Sequence, residues 1–105
     1  MIERIWHGWT DLENADEYER LLQEEIFPGI ADKDVDGYYG IRLLRRSRDD
    51  EVEFITIMRF ESMNSVTEFA GDDYETAYVP SDAREVLTRF DDRAQHYEVR
   101  EQREY

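Results

Sequence analysis

Two neighbouring strand-length segments, Tyr38 to Arg46 and Val52 to Phe60, carry apolar side chains on both of their faces. Successive side chains of a strand point to opposite sides. That puts Val52, Phe54, Met58 and Phe60 on one face of the second segment and Ile55 and Ile57 on the other. In the first segment the same period puts Tyr39, Ile41 and Leu43 opposite Tyr38, Arg42 and Leu44. The polar stretch Ser47 to Asp50 between them reads as a hairpin loop. A hairpin built this way cannot leave one face in water; both faces need a cover.

The rest of the chain supplies a cover for one face. Ile2 to Thr10 reads as a strand, with Trp6 and Trp9 on opposite sides. Asn14 to Phe27 reads as a helix with the stripe Ala15, Tyr18, Leu21, Leu22 and Ile26, capped by Asn14 with Glu17 reaching back and stopped at Pro28-Gly29. Asp36-Gly37 marks a turn. Ser62 can cap a second helix, with Met63, Val66, Phe69 and Ala70 inward and Gly71 as its stop. Asp72 to Phe90 is less regular, with a loop through Pro80 and a short helix near Ala83 to Thr88. Arg93 to Arg103 alternates around Tyr97 and Val99 as a last strand. The order β-α-β-β-α-β is that of an α+β, ferredoxin-like unit, a single domain over residues 1–105. Two helices cover one face of its sheet. A second copy of the sheet is the simplest cover for the other, so a homodimer is expected.

Charge narrows the partners. The 105 residues carry a net charge of −14, which repels nucleic acid and anionic membranes, so neither is an expected partner. Of 13 basic residues only Lys33 is lysine. An acid-rich, lysine-poor surface suits a salt-rich, halophilic cytoplasm, where the Debye length shrinks to about 3 Å at 1 M and self-repulsion is screened. With no cysteine, disulfides, thiolate metal sites and a cysteine nucleophile are excluded. The opening MIERIWHGW holds Glu3 and Arg4 and no long apolar run, unlike a signal peptide or a membrane span, and the expected location is cytoplasmic. No Gly-rich phosphate loop and no Ser-centred nucleophile elbow occurs.

The opening MIERIWHGWT, the hairpin YYGIRLLRR and EVEFITIMRFES, the segment FAGDDYETAYVPSD and the ending HYEVR together resemble small stand-alone members of the antibiotic biosynthesis monooxygenase family. The resemblance runs from about Ile2 to Arg100. It implies a dimeric α/β barrel, two ferredoxin-like protomers packed sheet against sheet, each with a cavity between sheet and helices. It also implies oxidation of aromatic, polyketide-like or quinol substrates by oxygen, often without any cofactor. Some relatives degrade haem, with an Asn on the first strand, a Trp after the third and a His on the second helix. Here those places offer Trp6 and His7, Phe60, and no His, so the haem-degrading set is not carried over.

Within that frame the candidate catalytic residues are His7, His96 and Arg59. The first and last strands would be antiparallel neighbours, which could bring the two histidines together as proton carriers. With Glu98 they could instead hold a metal, or each could be structural; no metal is expected. Arg59, like Arg42, interrupts an apolar strand and could steady a substrate anion, or make an interstrand ion pair. Trp6, Tyr97, Phe69 and Tyr78 are the candidate substrate-binding residues, aromatic walls and phenols for a small apolar or aromatic molecule. Arg42, Arg45, Arg46 and Arg48 face Asp49, Asp50, Glu51 and Glu53 across the hairpin and read as mutual neutralisation. Asp72-Asp73 and Asp91-Asp92 lack calcium-loop spacing and read as solvated surface.

Overall fold

A computed structural model describes residues 1–105. Three long strands form the centre of an antiparallel sheet: β1 (Ile2–Thr10), β2 (Tyr38–Ser47) and β3 (Val52–Phe60). β3 pairs with β2 on one side and β1 on the other, and the outer edge of β1 takes the last strand. That strand comes in two pieces, β4 (Arg89–Phe90) against Gly8 and Trp9, and β5 (Gln95–Glu98) against Ile2 to Ile5. The strand order is the ferredoxin-like one. The expected single strand from Arg93 to Arg103 is therefore shorter and starts later. Between the two pieces the Asp91 N–H still donates to His7 O at 3.0 Å, while Asp91 O turns to accept from the Trp6 indole at 2.7 Å.

The first helical segment runs further than its sequence suggests. α1 (Ala15–Leu21) passes through a π-helical turn (Leu22–Ile26) into α2 (Phe27–Asp32), with helical backbone at both joins. Proline lacks an N–H and its ring collides with the carbonyl one turn back. The widened turn, in which Phe27 N–H reaches back to Leu22 O, makes room for Pro28 without ending the helix. Nor does Asn14 cap α1 with its side chain; Asp11 Oδ1 accepts from the Asn14 N–H at 2.8 Å instead. The second helix, α3 (Met63–Ala70), follows expectation: Ser62 Oγ accepts from Ser65 N–H, and Gly71 closes it at φ 84°. A short α4 (Ser81–Val86) follows the loop through Pro80.

Register decides the faces. Opposite Phe60, Met58, Thr56, Phe54 and Val52 on β3 stand Ile2, Arg4, Trp6, Gly8 and Thr10 on β1, and this whole set faces the helices. On β2 a bulge between Tyr38 and Gly40 puts Tyr38 opposite Phe60, on the same face as Ile41 and Leu43. Tyr39 is displaced to a half-exposed position. This corrects the simple alternation, which groups Tyr39 with Ile41: one extra residue inverts the face of everything before it.

The helix-side core comes in two parts. At one end Tyr18, Leu21 and Leu22 pack on Val52, Phe54, Val79, Ala83 and Leu87. At the other, Val66 packs on Ile2, Met58 and Phe60, with Phe69 and Tyr38 against it. The space between them is only partly filled. On the opposite face of the sheet stand Ile5, Ile55, Ile57 and Leu44, flanked by charged residues at both ends.

Candidate functional site

The gap between the two core clusters is a cavity of about 120 Å³, walled by Trp6, Tyr18, Leu22, Ile41, Met58 and Phe69. It opens past Arg4, Ile26, Ile30, Tyr78 and Pro80 into a groove of about 530 Å³ that also carries Glu25, Lys33 and Asp82. The π-helical turn contributes Leu22 and Ile26 to the wall, so the irregularity that accommodates Pro28 also shapes the cavity. The roof is the loop before α4. Two main-chain bonds, Ala77 N–H to Asp92 O at 2.9 Å and Ala94 N–H to Glu75 O at 2.7 Å, tie it to the break between β4 and β5.

The proposed site residues divide between the two sides of the sheet. Trp6 and Phe69 are in the cavity wall, and Tyr78 stands at its mouth with 88% of its surface exposed. Trp6 is held by its indole bond to Asp91 O and leans on Phe90 at 6.1 Å between ring centres. His7, Arg59 and Tyr97 lie on the other face of the sheet. His7 Nδ1 is 3.0 Å from Glu53 Oε2, and its ring stacks on Trp9. Arg46 holds the other Glu53 oxygen at 2.6 Å. Together these neighbours keep the Glu53 carboxyl below its ordinary range, His7 first. Arg59 lies beside Glu3 and Arg42, away from the cavity.

His7 and His96 therefore do not meet. Strand neighbours they are, but in β1–β5 pairing His96 stands opposite Arg4, on the helix side, whereas His7 is an odd number of residues away and points to the far side. No group of three or more His, Asp or Glu residues is arranged to hold a metal ion.

What sequence reading missed is Arg4. It is 8% exposed, sits on the cavity-facing row of β1, and belongs to no ion pair. Its Nη1 donates to Tyr74 O and to His96 Nε2, the latter at 2.9 Å. Arginine has no acceptor, so Nε2 must be the unprotonated nitrogen and His96 carries its proton on Nδ1. The signal that could have found Arg4 was the row Ile2, Arg4, Trp6, Gly8, in which one charge stands among inward-facing positions.

Burial, and then the Arg4 charge, push the His96 imidazole below its ordinary range, although Glu75 pulls the other way. This has a sign. A histidine whose folded pKa is depressed favours folding while neutral. Its contribution is complete above the unfolded value of about 6.5 and is lost as pH falls through the window below it. Stability measured by urea unfolding is expected to drop between neutral pH and the acid side of that window, and His96→Asn to flatten the drop. An unchanged pH slope in His96→Asn would contradict the assignment. Glu53 acts in a lower window, losing its contribution as pH falls from about 4.5.

No protein-family model matches the sequence, and no curated protein matches it. A solved structure does: a Bacillus cereus protein provisionally described as an antibiotic biosynthesis monooxygenase superposes with a TM-score of 0.71 at 13% identity, over 99% of this chain and 97% of that one. No helix is long and apolar enough to cross a membrane. At that identity the likeness establishes the fold, and the fold is that of the family which the sequence resembles.

Proposed function

We propose that this chain is a cofactor-independent oxygenase of the antibiotic biosynthesis monooxygenase kind, working as a homodimer on a small aromatic or quinone-like molecule. The observation that carries the reading is the split core: an apolar cavity with aromatic walls, Trp6 and Phe69, between a rigid sheet and its helices. A flat ring is the shape such walls accept. In the reaction, an acidic ring CH2 loses a proton toward the mouth, where Glu25 and Asp82 stand. The carbanion bonds to one atom of O2, and the hydroperoxide so formed loses water to leave C=O. The carbon supplies all four electrons, so CH2 and O2 give C=O and H2O without an added reductant. Oxygen uptake with a panel of anthrones, in the presence of a chelator, tests this. Uptake of one O2 per substrate is expected; none above background across the panel sinks it.

A second reading, a non-catalytic module that binds a small ligand, is favoured by one observation. No carboxylate or imidazole lines the inner cavity, so no general base stands within it.

The dimer reading rests on the far face of the sheet, where Ile5, Ile55, Ile57 and Leu44 form an apolar centre. Polar and charged ends, with His7, Glu53 and Arg46 on one side and Glu3, Arg42 and Arg59 on the other, frame it. An apolar centre with a polar rim is how protein interfaces are built. With −14 charges on each copy, association should tighten with salt. Sedimentation equilibrium is expected to find a dimer that strengthens from low to molar salt, in keeping with a halophilic source, and a monomer for Ile55→Lys. A monomeric parent at molar salt would refute it.

A further inference from the structure

We infer that the cavity selects an aromatic ligand bearing an oxyanion, a carboxylate or an ionised phenol or enol, through Arg4, with His96 as the residue that positions Arg4. The inference rests on the preceding reading for the site, not for the chemistry.

A guanidinium has five N–H groups. The two on Nη1 of Arg4 go to Tyr74 O and His96 Nε2, and these partners lie behind it, outside the cavity lining. Its remaining three N–H groups, on Nε and Nη2, have no hydrogen-bond partner in the chain; neither nitrogen is sealed off, so they are open to a ligand in the space that Arg4 lines, although the residue as a whole is buried. No carboxylate pairs with it, yet it lines both the inner cavity and the groove. The ring of Phe69, 5.9 Å from the guanidinium carbon, offers a weak counter-interaction. Partial burial of a cation without a counter-ion is unfavourable, and an anionic ligand would relieve it. A cross-link between β1, β5 and the Tyr74 loop would not need a charge to be made.

The rest of the wall sharpens the choice. Thirteen of the sixteen lining residues of the inner cavity are hydrophobic, so the one charge dominates its field. Guanidinium matches a planar oxyanion with two parallel N–H bonds. The chain as a whole repels anions, with a net charge of −14. An anionic ligand therefore needs a local cation deep in the site. Neutral aromatics would leave that cation unpaired and are disfavoured for the same reason. His96 contributes by geometry: its ring, set edge-on to Tyr74 at 5.2 Å, fixes the Nε2 that holds Nη1.

Binding of naphthoate and of its neutral near-isostere naphthamide to the intact chain, by calorimetry, separates the possibilities. Naphthoate is expected to bind at least about tenfold tighter. Equal or weaker binding of the acid, or no binding of either, overturns the inference. The second readout is the colour of p-nitrophenol. Bound beside Arg4 it should ionise at lower pH than when free, whereas in an apolar cavity without the cation it should ionise at higher pH. Lys33, Glu25 and Asp82 at the mouth, and His96 and Glu75 behind Arg4, are the groups that share this field. Arg4→Met is expected to abolish the acid preference and reverse the shift while still binding naphthamide. Should that variant fail to fold, the direction of the shift in the unmodified chain decides alone. His96→Phe should lower the acid-to-amide ratio and His96→Asn restore part of it; a purely structural role would move both ligands together. Whichever anion binds tighter tells carboxylate from phenolate. An acid preference without oxygen uptake leaves the inference standing and sinks the oxygenase reading, and oxygen uptake without an acid preference does the reverse.

Discussion

Phe60→Ala is expected to remove about 3–5 kcal/mol of stability, the range for truncating a buried phenylalanine. Phe60 is fully buried at the centre of the second core cluster, among Ile2, Met58 and Val66. Its ring also meets Tyr38 at 5.4 Å and Phe69 at 5.6 Å between centres. Such aromatic pairs add about 0.5–1.5 kcal/mol beyond the area they bury. Small domains are stable by only about 5–15 kcal/mol, so the loss would take a large share of the total. At roughly 4–8 °C per kcal/mol, the melting temperature should fall by about 12–40 °C. Phe60 packs from behind on Phe69, a cavity wall, so the variant should also bind aromatic probes more weakly. Thermal unfolding followed by circular dichroism checks the first effect. Leu12→Ala, at a side chain 56% exposed in the turn after β1, is the control and should shift stability by no more than about 0.5 kcal/mol. A loss at Phe60 no larger than at Leu12 would refute the placement of this cluster.

Gly37→Ala should cost about 3 kcal/mol, from two sources of similar size. Gly37 sits at φ +82°, where a side chain is strained. A Cβ there would also stand 2.1 Å from Ser65 Oγ, at the start of α3, and 3.2 Å from Glu61 Cβ. The turn cannot move away freely, because Gly37 O accepts from Glu61 N–H at 2.7 Å. Gly29→Ala makes the opposite case. Gly29 lies in α2 with nothing within 4 Å of its would-be Cβ, so alanine should gain about 0.5–1 kcal/mol there. Urea unfolding of the two variants side by side should give opposite signs. Equal shifts would mean that either the turn or the continuation of the helix past Pro28 is wrongly placed.

The features that were legible along the chain are those with local causes. Ser62 and Gly71 bound α3 because a hydroxyl cap and a left-handed stop act within one turn. Asp36-Gly37 announced a turn for the same reason, and β3 kept its alternation because the one extra residue in its pairing lies in β2. Features that escaped depend on a partner remote in sequence. Pro28 reads as a stop until the π-helical turn before it is seen. The bulge at Tyr38 and Gly40 is a relation between β2 and β3 that neither strand reveals alone. The last strand breaks in two around Asp91, whose carbonyl is taken by Trp6 from across the sheet.

The same division runs through the candidate site. Residue order by itself determined that the chain makes a ferredoxin-like sheet, that its hairpin is apolar on both faces, and that aromatic side chains such as Trp6 and Phe69 are available to wall a cavity. It could not say which of two alternating rows meets the helices. A period of two defines two faces and labels neither; the label comes from pairing register, from one extra residue in β2, and from the loops that close over one side. Only the tertiary structure put His7, Arg59 and Tyr97 on the far side of the sheet, set His96 behind Arg4, and left Arg4 as the one charge in an apolar cavity. Burial belongs to a residue and its neighbours together, and for Arg4 those neighbours, Tyr74 and His96, lie 70 and 92 positions away along the chain.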